Sequence, residues 1–348
     1  MRVLLFGTYE RGYPRNAQVA AALRRAGVEV AERHQPVWTG REQWRAGPRT
    51  AVRLLAAEAR LALGPPADAD AVLVGYPGHL DLPAARRVAR GAPVVFNPLV
   101  SLWDTLVADR GRFRDGSVAA RMLRRLDRRA LRAADLVVAD TQANAAHFAA
   151  LAELERVESC LVGAEERIFT PGEGTREPAT ALFVGKLIPL HGLETILAAA
   201  RLLPEIRFRV VGDGQLRGLL DGRPPNVEHV PWVPYEDLPN ELHRATCALG
   251  VFGASAKAAR VIPNKAFQAL ACATPLVTAD TPAARELLVD GESALLVPPG
   301  DPDALAAAVS RVCEDPGQLG AAGLAAYREH ASEEVLGRRW RRLIEDLL

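Results

Sequence analysis

The chain carries 43 basic residues, and all but Lys186, Lys257 and Lys265 are arginine. Lys186 follows directly on the apolar run "ALFVG", and Lys265 opens the helical pattern "NKAFQALAC". A strand exit that feeds a helix presents unpaired N–H groups and a partial positive charge, so a lysine there completes the outline of an anion site. In the first turn of a helix the macrodipole disfavours a cation, and a docked anion reverses the sign of that penalty. Lysine is a compact, adaptable point charge whereas arginine prefers a planar fork, so retaining lysine at these two places points to selection for geometry. Lys186 taken alone could equally be a solvated residue of an ordinary loop, and Lys257 has no comparable position. Gln268 lies three residues beyond Lys265 on the same helix face, which leaves Phe267, Leu270 and Ala271 for the core. Asn264, just before Lys265, is expected to be the N-cap of a helix running to about Ala273.

The elements that must position these residues are legible as a rhythm. Strand-like runs "RVLLFG", "DAVLVG", "APVVFN" and "ADLVVAD" alternate with helical patterns, and "TALFVG", "FRVVG", "TCALGVFG" and "TPLVTAD" repeat the alternation in the second half. That βαβα order predicts parallel sheets with helices on both faces. At 348 residues the chain exceeds what one core organises, so two Rossmann-like domains are expected. Their boundaries fall at residues 1–163 and 180–328, with a Gly-, Pro- and charge-rich linker over 164–179. Residues 329–348 read as an amphipathic helix that could pack on either domain or across the cleft. Ligands of open α/β sheets sit beyond the carboxyl ends of the strands, so the chemistry belongs in the post-strand loops, and two facing sheets would share a cleft.

Composition excludes several classes. Apolar residues at 49% and charged residues at 24% describe an ordinary globular protein, and a net charge of +1 gives no global attraction to nucleic acid. Four scattered cysteines, with no histidine at ligand spacing, suggest neither a disulfide framework nor a metal site. The opening "MRVLLFGTYE" holds too short an apolar run for a signal-peptide core, and a cytoplasmic location is expected. Residues 110–132 contain nine arginines against Asp115 and Asp127. Such a helix is either a solvated face or a peripheral contact with an anionic membrane or phosphorylated acceptor. Apart from Phe113 no aromatic residue interleaves with it, which argues against nucleic acid.

The fragments "LRAADLVVADTQANAAHF", "LFVGKLIPLHG", "RVVGDGQL", "VPWVPYEDLPNELHRATCALGVF", "VIPNKAFQALACATPLVTAD" and "ARELLVDGESALLVPPGDPDAL" cover most of residues 130–305. In that order they resemble the retaining glycosyltransferase family 4, of the GT-B fold. The resemblance implies two Rossmann-like domains facing across a cleft, and transfer of a sugar, as in hexosyltransferases, from a UDP- or GDP-type nucleotide sugar to an acceptor hydroxyl. It implies neither a metal nor a further cofactor. By the same resemblance Lys186 and Lys265 flank the diphosphate and stabilise the charge that grows on the leaving group. Gly185 belongs to the strand exit, Gly212, Asp213 and Gly214 let backbone approach the donor, and Trp232 and Val233 border the base. Arg260, Val261, Ile262 and Asn264 line the donor side.

The sequence departs from the family at two acidic positions. By the same resemblance, Arg260 and Gln268 stand where the family places glutamates near the sugar and on the ribose. Gln268 can still hydrogen-bond a ribose, without the charge assistance that roughly doubles such contacts. Arg260 could contact phosphate, bind an acidic sugar or acceptor, or be a surface residue. His191 stands where the family often has a second lysine. These departures keep open a catalytically impaired relative that binds nucleotide sugar or a partner protein, and another GT-B activity such as an epimerase.

In the first half the loop after "VLLFG" lacks the Gly-x-Gly-x-x-Gly pattern, so a dinucleotide cofactor is not expected. Gly7, Thr8, Tyr9 and Arg15 are candidates to line the acceptor cleft, or they form a turn held by its own side chains. Asn97, Ser101 and Asp104 follow another apolar run; Asp104 could orient an acceptor hydroxyl or cap a helix. His79 reads as a loop or capping histidine. The acceptor itself is left as a small molecule, a glycan or a lipid-linked group.

Overall fold

Val-, Leu- and Phe-rich runs of three to six residues, buried on both faces, are what a parallel sheet covered by helices requires, and the protein builds two such sheets. The computed structural model describes residues 1–38, 47–172 and 176–348. These divide into two units, Met1–Val162 with Glu333–Leu348, and Gly163–Ser332.

The first unit contains β1 (Arg2–Gly7), α1 (Pro14–Arg25), β2 (Glu29–His34), α2 (Pro48–Ala62), β3 (Ala71–Val74), α3 (Leu82–Ala89), β4 (Val94–Phe96), α4 (Val118–Arg132), β5 (Leu136–Ala139), α5 (Gln142–Ala152) and β6 (Glu158–Ser159). The strands are ordered β2-β1-β3-β4-β5-β6 and pair in parallel. The order reverses between β1 and β3. A π-helical stretch, Asp104–Asp109, follows β4.

The second unit runs β7 (Thr180–Val184), α6 (Leu193–Leu202), β8 (Arg207–Val211), β9 (Val227–Val230), α7 (Leu238–Arg244), β10 (Cys247–Leu249), α8 (Asn264–Ala271), β11 (Leu276–Ala279), β12 (Leu295–Val297), α9 (Pro302–Glu314) and α10 (Leu319–His330). Its order is β12-β11-β10-β7-β8-β9, again all parallel, reversing between β7 and β10.

The last helix, α11 (Glu333–Glu345), belongs to the first unit. Its Leu336, Trp340, Leu343 and Ile344 join Val19 and Leu23 of α1 in one buried cluster, so the amphipathic face expected from the sequence packs on that unit. The expected linker is part of the second unit. Phe169 is buried edge-on to Tyr235, with ring centroids 5.4 Å apart, and the Ala164 N–H donates to the Tyr327 hydroxyl at 3.3 Å. Residues 173–175 of that expected linker lie outside the described residues.

Candidate functional site

In a doubly wound sheet the two loops that leave the reversal point diverge to opposite faces and open a crevice at the carboxyl ends of the strands. In the second unit those loops follow β7 and β10. The first delivers Gly185 and Lys186; the second leads through residues 250–263 to α8, which carries Lys265. The two solitary lysines therefore come from the two sides of one reversal point.

They occupy opposite environments. Lys186 is exposed, whereas Lys265 is buried at 8% exposure, its Nζ 3.5 Å from the centroid of the Phe183 ring and without a hydrogen-bond partner. Burial pushes the amine well below the ordinary lysine range. The aromatic face favours a cation but does not supply the hydrogen bonds that water gave. Nζ lies directly beneath the backbone of Gly185, where an added Cβ would approach it to 2.9 Å. With φ of 151°, Gly185 adopts a conformation suited to glycine. Gly212 fits equally closely, since a Cβ there would fall 1.9 Å from the Gly185 carbonyl oxygen. The loops after β7 and β8 are further tied by the Leu187 N–H to the Asp213 carbonyl at 3.0 Å and by the Leu216 N–H to the Leu187 carbonyl at 2.9 Å.

His191 is buried, and its Nδ1 hydrogen-bonds the Lys186 carbonyl; a carbonyl has no proton to give, so Nδ1 carries one. The imidazole thereby fixes the backbone on which Lys186 sits. Gln268 is buried beside Lys265, with its Nε2 3.5 Å from the Tyr235 hydroxyl. Tyr235 is raised to about 12, by burial first and then by the charge of Glu165, so it remains a neutral hydroxyl. Asp213 and Gly214 are exposed, with the Asp213 carboxylate accepting from the Gly214 N–H at 2.7 Å. Trp232 is 59% exposed and Val233 half-buried. Arg260 ends a short 3-10 turn, Val261 and Asn264 are half-buried and Ile262 is buried. Asn264 is not the cap expected from its type. Pro263, in extended conformation, occupies that position and Asn264 is the first helical residue. Proline lacks the N–H and has a fixed φ, so it enters this helix start without penalty.

The reversal point of the first unit is furnished differently. Thr8, just after β1, donates from its N–H and its Oγ1 to Asp81, at 2.7 and 2.9 Å, and Asp81 is 1% exposed. Gly7 closes the strand. Tyr9 is a core residue whose hydroxyl donates to Glu32 at 3.0 Å. Arg15 points into the core of the unit. It is fully buried, donating to Asn97 Oδ1 at 2.8 Å, to the carbonyls of Cys160 (2.6 Å) and Leu161 (2.9 Å) and to that of Ala139 (3.2 Å), with its guanidinium carbon 5.4 Å from the Trp340 ring centroid. Asn97 is used as its acceptor. Ser101 donates to Asp127 at 2.7 Å, and Asp127 also accepts from the N–H groups of Leu102 and Trp103. Asp104 lies 3.1 Å from His147 Nε2. His79 is buried with its Nε2 3.3 Å from Asp127. These polar residues hold the loops after β3 and β4 in place, and Thr8, one of those expected to line an acceptor cleft, borders a cavity.

Residues 178–315 match the family model described as glycosyl transferases group 1. They contain the β7 and β10 exits, both lysines and the paired glycine loops. Residues 178–315 are a glycosyltransferase domain. D-inositol 3-phosphate glycosyltransferase of Kribbella flavida is 30% identical over 229 residues, 57% of this chain and 53% of that protein. Phosphatidyl-myo-inositol mannosyltransferase of Mycolicibacterium smegmatis is 30% identical over 175 residues, 47% of this chain and 42% of that protein. The chain thus spans about half the length of the curated relatives it matches. Among solved structures, sucrose-phosphate synthase from Thermosynechococcus elongatus superposes with a TM-score of 0.76 at 19% identity, covering 99% of this chain and 98% of that one. Anabaena HepE in complex with UDP-glucose gives 0.68 at 16% identity, covering 99% and 100%. At such identities the likeness gives the fold, which is GT-B.

Within the glycosyltransferase domain, sequence reasoning found the lysines but not Tyr235 as the neighbour of Gln268. In the first unit it passed over Asp81 and Glu58. Asp81 ends "GYPGHLD", a Gly- and Pro-dense loop after an apolar run, the same signal that singled out Thr8. Among the described residues no group of three His, Cys, Asp or Glu is placed to hold a metal ion, and no helix is long and apolar enough to cross a membrane.

Proposed function

We propose that the protein is a retaining glycosyltransferase of family 4. It would move a sugar from a UDP- or GDP-type nucleotide sugar to an acceptor hydroxyl, without a metal. The observation that carries this reading is the Lys265 amine, buried without a hydrogen-bond partner beneath Gly185 at the reversal point of the glycosyltransferase domain. A buried amine carried by the first turn of a helix is poised to be protonated when a diphosphate arrives, and charge-assisted hydrogen bonds then offset its desolvation. Lys186, exposed on the adjoining loop, supplies a second cation. Both act most strongly on the departing nucleoside diphosphate, whose charge grows in the transition state. Gln268 would meet the ribose and Trp232 with Val233 the base. The names of the relatives, which describe glycosyl and mannosyl transfer to inositol compounds, and the UDP-glucose complex of Anabaena HepE support a nucleotide-sugar donor.

Calorimetric titration with UDP and GDP, using wild type, Lys186→Ala and Lys265→Ala, tests the site. Loss of affinity in both variants is expected; unchanged affinity in both would remove the assignment. The binding-only alternative, motivated by Arg260 and Gln268, is answered by mass spectrometry of reactions containing donor and acceptor, where any glycosylated product rejects it. Peripheral contact with an anionic membrane through residues 110–132 is part of the proposal. Arg121, Arg125 and Arg129 are exposed there, while Arg128 and Arg132 pair with Glu153.

A further inference from the structure

The first unit contains a cavity of about 290 Å³, near the lower end of the range for small-molecule sites. It opens at the reversal point of its own sheet, where the loops after β1 and β3 part. Its floor is polar: Thr8 and Asp81, joined by their two hydrogen bonds, with His79 alongside. The rest of its lining is apolar apart from Arg112, and includes Leu54 of α2, Leu123 of α4, and Leu102, Leu106 and Phe113 between.

The two helices that contribute Leu54 and Leu123 to the cavity also expose apolar side chains to solvent. On α2, Val52 and Leu55 are 67% and 71% exposed; on α4, Val118 and Met122 are 63% and 62% exposed; Leu80, on the cavity wall, is 43% exposed. Exposed arginines stand among them, Arg49, Arg53 and Arg60 on α2 and Arg121, Arg125 and Arg129 on α4. Exposed apolar side chains interspersed with guanidinium groups on these two helices match the boundary between acyl chains and anionic headgroups. A freely soluble ligand would leave those exposed side chains unexplained.

We propose that this cavity takes an acyl chain of a membrane-lipid acceptor, with Asp81 at its floor accepting a hydrogen bond from a hydroxyl of that lipid. The proposal rests on the transferase reading, whose acceptor it specifies. Thr8 uses two, and the Glu58 hydrogen bond a third, of the roughly four lone-pair sites of the Asp81 carboxylate, which leaves one for a ligand donor. Glu58 of α2 supports this arrangement: burial, and then its hydrogen bond with Asp81, raises Glu58 to about 10, so Glu58 keeps its proton and donates it to Asp81.

The test uses the full chain with two probes, dansyl-undecanoic acid followed by fluorescence and sedimentation with phosphatidylglycerol or phosphatidylcholine vesicles, and UDP titration as a control on the same samples. Leu123→Trp, which fills the cavity, is expected to weaken the acyl probe at least tenfold while UDP affinity stays within twofold. The double variant Leu55→Glu with Met122→Glu should reduce partition onto phosphatidylglycerol vesicles at least tenfold. Leu106→Phe replaces Leu123→Trp if the latter lacks a cooperative melting transition. Wild-type affinity for the probe in the filled variant, or wild-type protein that ignores phosphatidylglycerol vesicles, overturns the proposal. Wild type that binds the acyl probe but not UDP or GDP would instead reject the transferase reading and leave the chain-binding cavity standing.

Discussion

The two units reverse strand order once each, and the two reversal points carry opposite chemistry. In the glycosyltransferase domain the crevice holds a buried amine under a glycine backbone, beside a helix start. In the first unit it holds a buried carboxylate under Thr8 and an apolar cavity. One arrangement suits an anion and the other an apolar body with a hydroxyl. Fold alone distinguishes neither, which is why function has to be argued from side chains.

The sharpest way to break this contrast is to exchange its charges. Lys265→Ala should weaken UDP or GDP binding by about 100-fold, as expected for charge-assisted hydrogen bonds in a desolvated site. Asp81→Asn should leave nucleotide binding unchanged. Equal losses in calorimetry would show that the two sites are not independent. Binding should also take up a proton. The unfolded chain keeps Lys265 protonated up to its ordinary value, while the folded, unliganded protein releases that proton at lower pH because burial lowers its pKa. Over that window the unfolded state binds more protons, so stability rises with pH, and the diphosphate restores the proton. Titrations in buffers of different ionisation enthalpy should reveal uptake within that window, absent in Lys265→Met.

A smaller effect is expected from Gly185→Ala. Its Cβ would sit 2.9 Å from Lys265 Nζ and require a φ of 151°, so nucleotide affinity should fall about tenfold through displacement of the amine. Unaltered affinity would mean that the lysine and the glycine are not coupled. On the acidic side, Glu58→Gln should raise the melting temperature at pH 8 by about 3 °C and leave it unchanged at pH 4. The folded state holds the Glu58 proton up to about 10 while the unfolded chain loses it near the ordinary glutamate value. Between those values the folded state binds more protons, so stability falls as pH rises, and glutamine removes that slope. An equal shift at both pH values would contradict the buried acid. The mildest change is Gln268→Glu, which should strengthen nucleoside binding by a few-fold if the residue meets a ribose, and weaken it if the residue faces phosphate.

The strand-like runs found in the sequence correspond to β1, β3, β4, β5, β7, β8, β10 and β11, all inside their sheets. The strands passed over, β2, β6, β9 and β12, are the four edges. An inner strand of a parallel sheet is covered on both faces and must be continuously apolar; an edge can be short or charged. "EVAERH" of β2 and the two-residue β6 illustrate this. The α2 helix was missed although its apolar residues recur at helical spacing, because several of them face outward.

What the sequence determined by itself was the succession of elements and the presence of two lysines after strand exits, because local patterning and residue type are properties of neighbouring positions. Tertiary structure alone decided which polar side chains remain available. Arg15 and Lys265 are both buried basic side chains, yet one is enclosed by four hydrogen-bond acceptors and the other has none. That difference depends on carbonyls up to 146 positions away, and on rings as distant as Trp340 from Arg15, brought close only by folding.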